Sequence, residues 1–336
     1  MIVSNLFASR LPKFLRSKLF SQCRSSLTIL LMAGSSAAAA EQQSGHSLDN
    51  YLKRLGYESI PLKYDHGNHL LAVGEIDGKS RDIMVDTGCT LTTVDSDIAR
   101  KMKTLGSLGV QLEDSFLGTL TNSKTCLMTV KLGNAIFTNQ PAHSKALNAG
   151  GHSSADCLLG CDFLFRNFCL IDCTTHKLYV RAIEPPKQAE EALEGSLRQS
   201  GFHQIKLQPT ASLVMTVPGR INGLPVKLFL DTGGAFTTID TKQMNRLGIE
   251  KQLTRTQISG IGKIGSTWLD RTRLKSFEVG DVSFKNLEVC VADLSGWSLG
   301  KPSHPLEDVD GFLCPDFLAY NRGLIDCHGL KLWLQK

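Results

Sequence analysis

Short apolar runs separated by turn residues dominate the chain and predict a protein built almost entirely from β-strands. Ile83–Val85 and Leu228–Leu230 are two such runs, each too short for a buried helix. Asp77-Gly78 and Asn222-Gly223 stand between alternating segments and favour two-residue hairpins, because both central positions need a positive φ angle. The pattern therefore predicts short strands joined by tight turns.

Helices are expected only as short segments between strands. Their predicted ranges or starting points are 96–104, 241–247, Asp162 and Pro315. Asp95 and Asp240 stand directly before the first two segments. A carboxylate there can accept a hydrogen bond from a free N–H group of the first turn, so both residues are predicted N-caps.

The chain contains two diverged copies of one unit. Residues 83–95 and 228–240 are identical at 6 of 13 positions, and residues 156–180 and 310–334 at 12 of 25. The spacing between the copies drifts from 145 to 154 residues, so the loops have changed length while their ends are kept. A duplicated unit of this size predicts two similar lobes.

The repeat divides the chain into five segments. Residues 56–182 and 200–336 are the predicted lobes, joined over 183–199 by a charged, proline-led linker with room for one or two helical turns. Residues 1–40 run from basic to apolar to small side chains, which is the order of a secretory signal peptide, and 41–55 form an N-terminal extension. We expect secretion or periplasmic export, and organellar import is the alternative that an acid-free leader also fits.

The distribution of charge gives no support to a nucleic-acid partner. Five of the 37 Lys and Arg residues lie in 1–40, which leaves 32 basic against 32 acidic residues in the rest of the chain. A neutral body has no electrostatic attraction to a polyanion. The apolar run of the leader is too short to span a bilayer comfortably, so no stable membrane span is expected after its removal.

Both copies carry an Asp-Thr-Gly tripeptide, at residues 86–88 and 231–233. Each tripeptide follows an apolar strand and precedes an apolar, Thr-rich one. A carboxylate at a tight turn between buried strands is costly to bury unless it is hydrogen-bonded. Its presence at equivalent points of both copies indicates chemistry rather than an ordinary turn.

This pattern, with the apolar-apolar-Gly motif at 158–160, resembles the retropepsin-like and pepsin-like aspartic peptidases over about residues 56–336. The resemblance implies an all-β, bilobal acid-protease-like fold made of two duplicated retropepsin-like β-barrel lobes. It also implies an aspartic-type endopeptidase in which Asp86 and Asp231 face each other, hold one water molecule and hydrolyse a peptide or protein substrate. Neither a metal nor an organic cofactor is expected.

The same resemblance assigns supporting residues. The residues expected to support the two carboxylates are Thr87, Gly88, Thr232 and Gly233, with the threonines interlocked beneath the pair. The glycine-rich flap that closes over the substrate in this family is expected at Gly118, Gly260, Ile261 and Gly262.

Two positions in the second copy depart from the family pattern. The residue after Asp-Thr-Gly is Cys89 in the first copy and Gly234 in the second, where pepsin-like enzymes usually have a hydroxyl side chain that hydrogen-bonds the catalytic Asp. The apolar-apolar-Gly motif ends in Cys314 in the second copy, and a side chain there can crowd the Asp231 loop. Neither candidate flap contains the tyrosine of pepsin-like enzymes.

These departures leave open a catalytically silent bilobal module that binds peptides or a partner. Retention of both Asp-Thr-Gly segments argues against it, because a silent copy would be free to lose its Asp. A third arrangement places each lobe against its equivalent in another chain, which gives a dimer with two sites. Since both halves lie in one chain, activity does not require dimerisation and a monomer is expected.

Other cysteines and histidines admit further interpretations. A spacing that could suggest zinc is formed by Cys157, Cys161, Cys169 and Cys173. Three of these positions are glycine or proline in the second copy, so disulfides or buried thiols are the better interpretation. His143 and His152 are predicted to face solvent in a loop over 139–156.

Overall fold

The computed structural model describes residues 48–65, 68–102, 104–107, 112–114, 118–120, 124–147, 155–210, 213–258, 267–294 and 309–335. The predicted leader and much of the predicted extension lie outside the described residues. By its internal contacts the chain divides into residues 1–51 and 52–336, and both predicted lobes fall within the second unit. Residues 48–54 are helical.

Strands make up most of the second unit. In the first copy they are β1 (Glu58–Tyr64), β2 (Leu70–Ile76), β3 (Lys79–Val85), β4 (Thr93–Asp95), β5 (Thr104–Ser107), β6 (Leu112–Asp114), β7 (Gly118–Leu120), β8 (Lys124–Leu132), β9 (Ala135–Lys145), β10 (Cys157–Leu159), β11 (Leu170–Asp172) and β12 (Lys177–Val180). In the second copy they are β13 (His203–Lys206), β14 (Gln208–Pro209), β15 (Met215–Ile221), β16 (Leu224–Leu230), β17 (Thr238–Asp240), β18 (Gln252–Ile258), β19 (Thr267–Val279), β20 (Val282–Ala292), β21 (Gly311–Leu313), β22 (Leu324–Asp326) and β23 (Lys331–Leu334). The helical segments between them are Ser96–Ala99, Cys161–Arg166, Lys187–Gln199, Thr241–Gln243, Met244–Leu247 and Pro315–Tyr320.

Each copy closes six strands into a barrel. In the first copy the order is β2-β3-β10-β4-β9-β8, and β8 pairs back with β2. In the second copy the order is β15-β16-β21-β17-β20-β19, and β19 pairs back with β15. Alternate side chains of each strand fill the interior, as Cys126, Met128 and Val130 do along β8. The predicted all-β fold with two duplicated barrels is confirmed.

A central sheet joins the two copies in the order β1-β12-β11-β22-β23-β13. Its middle pair is antiparallel and places Ile171 opposite Ile325, which are equivalent residues of the repeat. The pairs on either side show the same symmetry. Leu170 lies opposite Asp326, and the residues equivalent to these two, Leu324 and Asp172, also lie opposite each other. The copies are therefore related by an approximate two-fold axis through this pair.

The helices follow the sequence predictions in part. Asp95 accepts a hydrogen bond from Asp97 N at 2.9 Å and Asp240 from Lys242 N at 3.1 Å, so both predicted N-caps are confirmed. The first helix ends at Ala99 rather than at residue 104, because residue 104 already belongs to β5, which pairs with β8. The predicted linker contains a helix of 13 residues, longer than the one or two turns expected.

The prediction of a solvent-facing His143 is wrong. Strand β9 continues through this residue and is paired on both sides there, with Thr93 of β4 and with Thr125 of β8. His143 is consequently only 6% exposed. Burial lowers its pKa, and the carboxylate of Asp162 opposes that shift. His152 lies outside the described residues.

Within the described ranges, no helix is both long enough and apolar enough to cross a bilayer.

Candidate active site

The two Asp-Thr-Gly turns occupy the same place in each barrel. Asp86 follows β3, and its N–H donates to the carbonyl of Leu159 at the end of β10, at 3.1 Å. Asp231 follows β16, and its N–H donates to the carbonyl of Leu313 at the end of β21, at 3.0 Å. In both copies these two strands run parallel, so their carboxyl ends lie side by side. The Asp-Thr-Gly turn therefore lies next to the apolar-apolar-Gly motif in the first copy and next to the apolar-apolar-Cys motif in the second.

The two threonines link the turns across the approximate two-fold axis. The N–H of Thr87 donates to Oγ1 of Thr232, and the N–H of Thr232 donates to Oγ1 of Thr87, both at 3.0 Å. Each hydroxyl then donates to a carbonyl of the opposite copy at 2.8 Å, Thr87 to Leu230 and Thr232 to Val85. Both threonines are fully buried. The four bonds fix the position of one turn relative to the other.

The glycines let the two carboxyl groups approach each other. A Cβ atom added to Gly233 would lie 2.5 Å from Cγ of Asp86, and one added to Gly88 would collide with Oδ1 of Asp231. Each glycine also donates its N–H to its own Asp, at 2.8 Å to Asp86 Oδ1 and 2.9 Å to Asp231 Oδ1. Any larger side chain at either position would separate the pair. All six residues predicted at the dyad are thus brought together within one chain.

The carboxyl pair is almost completely shielded from solvent. Asp86 is 3% exposed and Asp231 is 0% exposed. Burial raises the pKa of Asp231 from 3.8 to about 6, and the hydrogen bonds from Gly233, with Asp86 and from Gly234 offset only part of that rise. Among the described residues no group donates to Oδ2 of Asp231. Asp231 therefore holds a proton to higher pH than an ordinary aspartate.

The two departures in the second copy compensate each other. A Cβ atom added to Gly234 would lie 2.6 Å from Sγ of Cys314, so the Cys314 side chain occupies the space that residue 234 leaves empty. In the first copy the arrangement is reversed, with a side chain at Cys89 and none at Gly160. A Cβ atom on Gly160 would lie 2.7 Å from the backbone carbon of Leu91. Cys314 thus fits without crowding the Asp231 loop, contrary to the expectation from sequence.

A second layer of hydrogen bonds supports each turn. Asp162 accepts from both the N–H and the hydroxyl of Thr92 at 2.7 Å, and that hydroxyl accepts from Gly160 N at 3.3 Å. In the second copy Asp316 accepts from Thr237 N and Oγ1 at 2.9 and 2.7 Å. Burial raises the pKa of both Asp162 and Asp316, and the threonine bonds oppose it. These threonines and aspartates recur in both copies, a signal that sequence reasoning did not use.

One thiol contacts the dyad turn of the first copy. Sγ of Cys161 donates to the carbonyl of Thr87 at 3.2 Å. The equivalent position in the second copy is Pro315, which has no donor. This support is specific to the turn of Asp86.

The predicted flap residues are placed only in part. Gly118 begins β7, which forms a two-stranded antiparallel sheet with β6 and pairs Gly118 with Asp114. Strands β18 and β19 lead towards the second candidate flap, but Gly260, Ile261 and Gly262 lie outside the described residues. The assignment of both segments as a flap stays a prediction.

The cysteines are buried thiols. The nine in the described ranges are all free and buried, so no disulfide forms among them. Burial raises the pKa of Cys157, Cys169 and Cys173 well above the usual range, which keeps these thiols protonated. Within the same ranges, no group of three His, Cys, Asp or Glu side chains is arranged to hold a metal ion.

Comparison with known proteins adds a family match. The sequence model of the family described as "Aspartyl protease" matches residues 72–163 and 217–313, one segment in each copy and together more than half of the chain. No curated protein matches the chain.

Several solved structures are similar to this one. An aspartic proteinase from Irpex lacteus is 14% identical, with a TM-score of 0.48 over 83% of this chain and 97% of that chain. Conglutin gamma, a basic 7S globulin from lupine seeds, is 10% identical, with a TM-score of 0.45 over 83% and 95%. Basic 7S globulin from soybean is 9% identical, with a TM-score of 0.43 over 83% and 94%.

Proposed function

The chain belongs to the aspartyl protease family, and from that premise we propose that it is an aspartic-type endopeptidase. Its substrate is a peptide or protein, and the reaction is hydrolysis of a peptide bond by a water molecule that Asp86 and Asp231 activate. The two carboxyl groups come from the two copies of the repeat, so one chain supplies one complete site.

The observation that supports this proposal is the cross-linked geometry of the two turns. Thr87 and Thr232 bond each other's turns, and Gly88 and Gly233 each lie against the carboxyl group of the opposite copy. A structural turn needs neither contact. Two carboxyl groups held this close and shielded from solvent cannot both ionise readily, so they share one proton.

The shared proton assigns different roles to the two groups. The pair titrates as a unit, with one carboxyl group protonated and the other ionised. The ionised member takes a proton from the water, whose oxygen attacks the carbonyl carbon, while the protonated member passes its proton to the carbonyl oxygen. In the second step the member that accepted the water proton gives it to the leaving nitrogen as the C–N bond breaks, and a hydroxyl of the intermediate returns a proton to the other member. The dyad ends in its starting state, and one water has been consumed.

The test is cleavage of a mixed peptide library by the purified protein between about pH 3 and pH 8. Asp86→Asn and Asp231→Asn are each expected to abolish turnover while leaving the fold intact. Asp281→Asn, at an exposed turn position, is the matched control and should retain full activity. Turnover that survives in either dyad variant would refute the assignment.

Absence of turnover at every pH, with the wild-type protein folded, would instead favour the silent peptide-binding module. In that case the library should still yield bound peptides, and Asp231→Asn should alter their affinity.

A further inference from the structure

The two oxygens of the Asp231 carboxyl group differ in their hydrogen bonding. Oδ1 of Asp231 accepts the N–H of Gly233, but Oδ2 has no hydrogen-bond partner among the described residues although Asp231 is 0% exposed. A buried carboxyl oxygen without a donor favours the neutral form of the group. The neighbour of this oxygen therefore affects the state of the whole pair.

The position of Cys314 relative to this oxygen follows from the glycine beside it. A Cβ atom on Gly234 would lie 2.6 Å from Sγ of Cys314 and 2.9 Å from Oδ2 of Asp231. The thiol sulfur and the carboxyl oxygen therefore both lie next to the position that a Cβ atom of residue 234 would occupy. Cys314 reaches it from the end of β21, about 80 residues further along the chain than Gly234.

The first copy has the opposite arrangement, and its thiol donates a hydrogen bond to a backbone carbonyl group. There Cys89 follows the Asp-Thr-Gly turn directly, and its thiol donates to the carbonyl of Leu91 at 3.0 Å. Gly160, the equivalent of Cys314, cannot accept a side chain without moving the backbone of Leu91. The side chain beside the Asp-Thr-Gly turn therefore comes from Cys89 in the first copy and from Cys314 in the second.

The surroundings of Cys314 keep its sulfur as a neutral S–H group. It is fully buried in an apolar cluster that includes Phe229, Phe312 and Cys290. Burial raises its pKa well above the usual range, and the charge of Asp231 adds to that rise. The titratable groups that face Asp231 and Cys314 from the packed elements are Asp86, Asp316 and Cys290.

We propose that Cys314 is a positioning residue for Asp231: its thiol fills the space beside Oδ2, excludes water from it, and withholds the strong hydrogen bond that a hydroxyl would donate. An S–H group is a weak donor, so it stabilises a carboxylate far less than an O–H group does. The consequence is that Asp231 keeps its neutral form to higher pH than it would beside a hydroxyl group. This inference rests on the proposed function for its catalytic meaning, but the ionisation itself can be measured without turnover.

The experiment is a carbon-13 NMR titration of the Asp231 carboxyl group in the full chain with labelled aspartate, assigned by its loss in Asp231→Asn. Cys314→Ser keeps the shape and adds a strong donor, so the titration midpoint of Asp231 should fall by about one pH unit. Cys290→Ser makes the same chemical change in the same cluster and should leave the midpoint where it is. An unchanged midpoint in Cys314→Ser, or an equal fall in Cys290→Ser, would overturn the proposal.

A second measurement tests the shared space independently. Gly234→Ser should lower the denaturation midpoint of the wild-type protein, because the new side chain collides with Sγ of Cys314. In the Cys314→Gly background the same substitution should cost little, since the space is then empty. An equal loss in both backgrounds would show that the two residues do not compete for it.

Activity then separates this inference from the proposed function. If the protein is a peptidase, the alkaline limb of kcat/KM should move down with the titration midpoint in Cys314→Ser. If there is no turnover, the proposed function fails, and the NMR midpoint still decides the role of Cys314.

Discussion

The ionisation of Asp231 predicts how stability depends on pH. Below pH 3.8 this carboxyl group is protonated in both the folded and the unfolded chain, so its burial costs nothing in ionisation. Above that pH the unfolded chain releases the proton while the folded chain keeps it, because burial raises the pKa to about 6. Stability therefore falls as pH rises, and the loss is complete above pH 6.

Asp231→Asn removes this loss, because asparagine is neutral at every pH and is nearly the same size. A difference of about 2 pKa units corresponds to about 3 kcal/mol. The free energy of unfolding of the variant, relative to the wild type, should therefore rise by up to about 3 kcal/mol between pH 4 and pH 7. Any hydrogen bond that asparagine makes less well shifts this difference equally at all pH values and leaves its slope unchanged.

The assay is urea unfolding at several pH values from 4 to 7, followed by tryptophan fluorescence. Trp333 is only 1% exposed and should report the loss of the central sheet. Asp281→Asn, at an exposed turn position, is the control and should follow the wild type across the range. A stability difference for Asp231→Asn that is constant with pH, or that shrinks as pH rises, would refute the reasoning.

Three further outcomes are expected. Thr87→Val removes the hydroxyl that links the two turns and leaves two buried backbone groups without that partner, so the free energy of unfolding should fall by about 2–4 kcal/mol in urea titrations. Gly233→Ala presses a methyl group against the carboxyl group of Asp86 and should abolish peptide turnover, whereas Gly195→Ala, helical and with nothing within 4 Å of the added methyl, should keep turnover and add up to about 1 kcal/mol of stability. Peptide turnover, measured as kcat/KM, should decline above about pH 6 as the dyad loses its shared proton, and a rise between pH 6 and pH 8 would contradict a mechanism that needs that proton.

The repeat made the architecture predictable. Two copies of an apolar strand, Asp-Thr-Gly and a second strand predict two similar lobes. The resemblance to the aspartic peptidases adds the barrels and the contact between Thr87 and Thr232. These are statements about local pattern and symmetry, which a sequence carries directly.

Contacts between segments distant in the chain were not predictable in the same way. In the sequence Gly234 and Cys314 are two separate departures from the family pattern, although in the structure they compensate each other through one shared space. The sequence around His143 is loop-like, but pairing with two strands buries this residue. In both cases the deciding neighbour lies in another segment of the chain, and the local pattern of apolar and polar residues does not reveal it.

The central pairing of β11 with β22 bears on the history of the molecule. Ile171 opposite Ile325 is the contact that two identical chains would make on a true two-fold axis. An ancestor with a single copy could have assembled as a homodimer through this contact. In such a dimer both carboxyl groups have identical neighbours, and the shared proton has no preferred side. Fusion into one chain removes that constraint, so a sulfur comes from Cys89 in one half and from Cys314 in the other, and the two carboxyl groups have different neighbours.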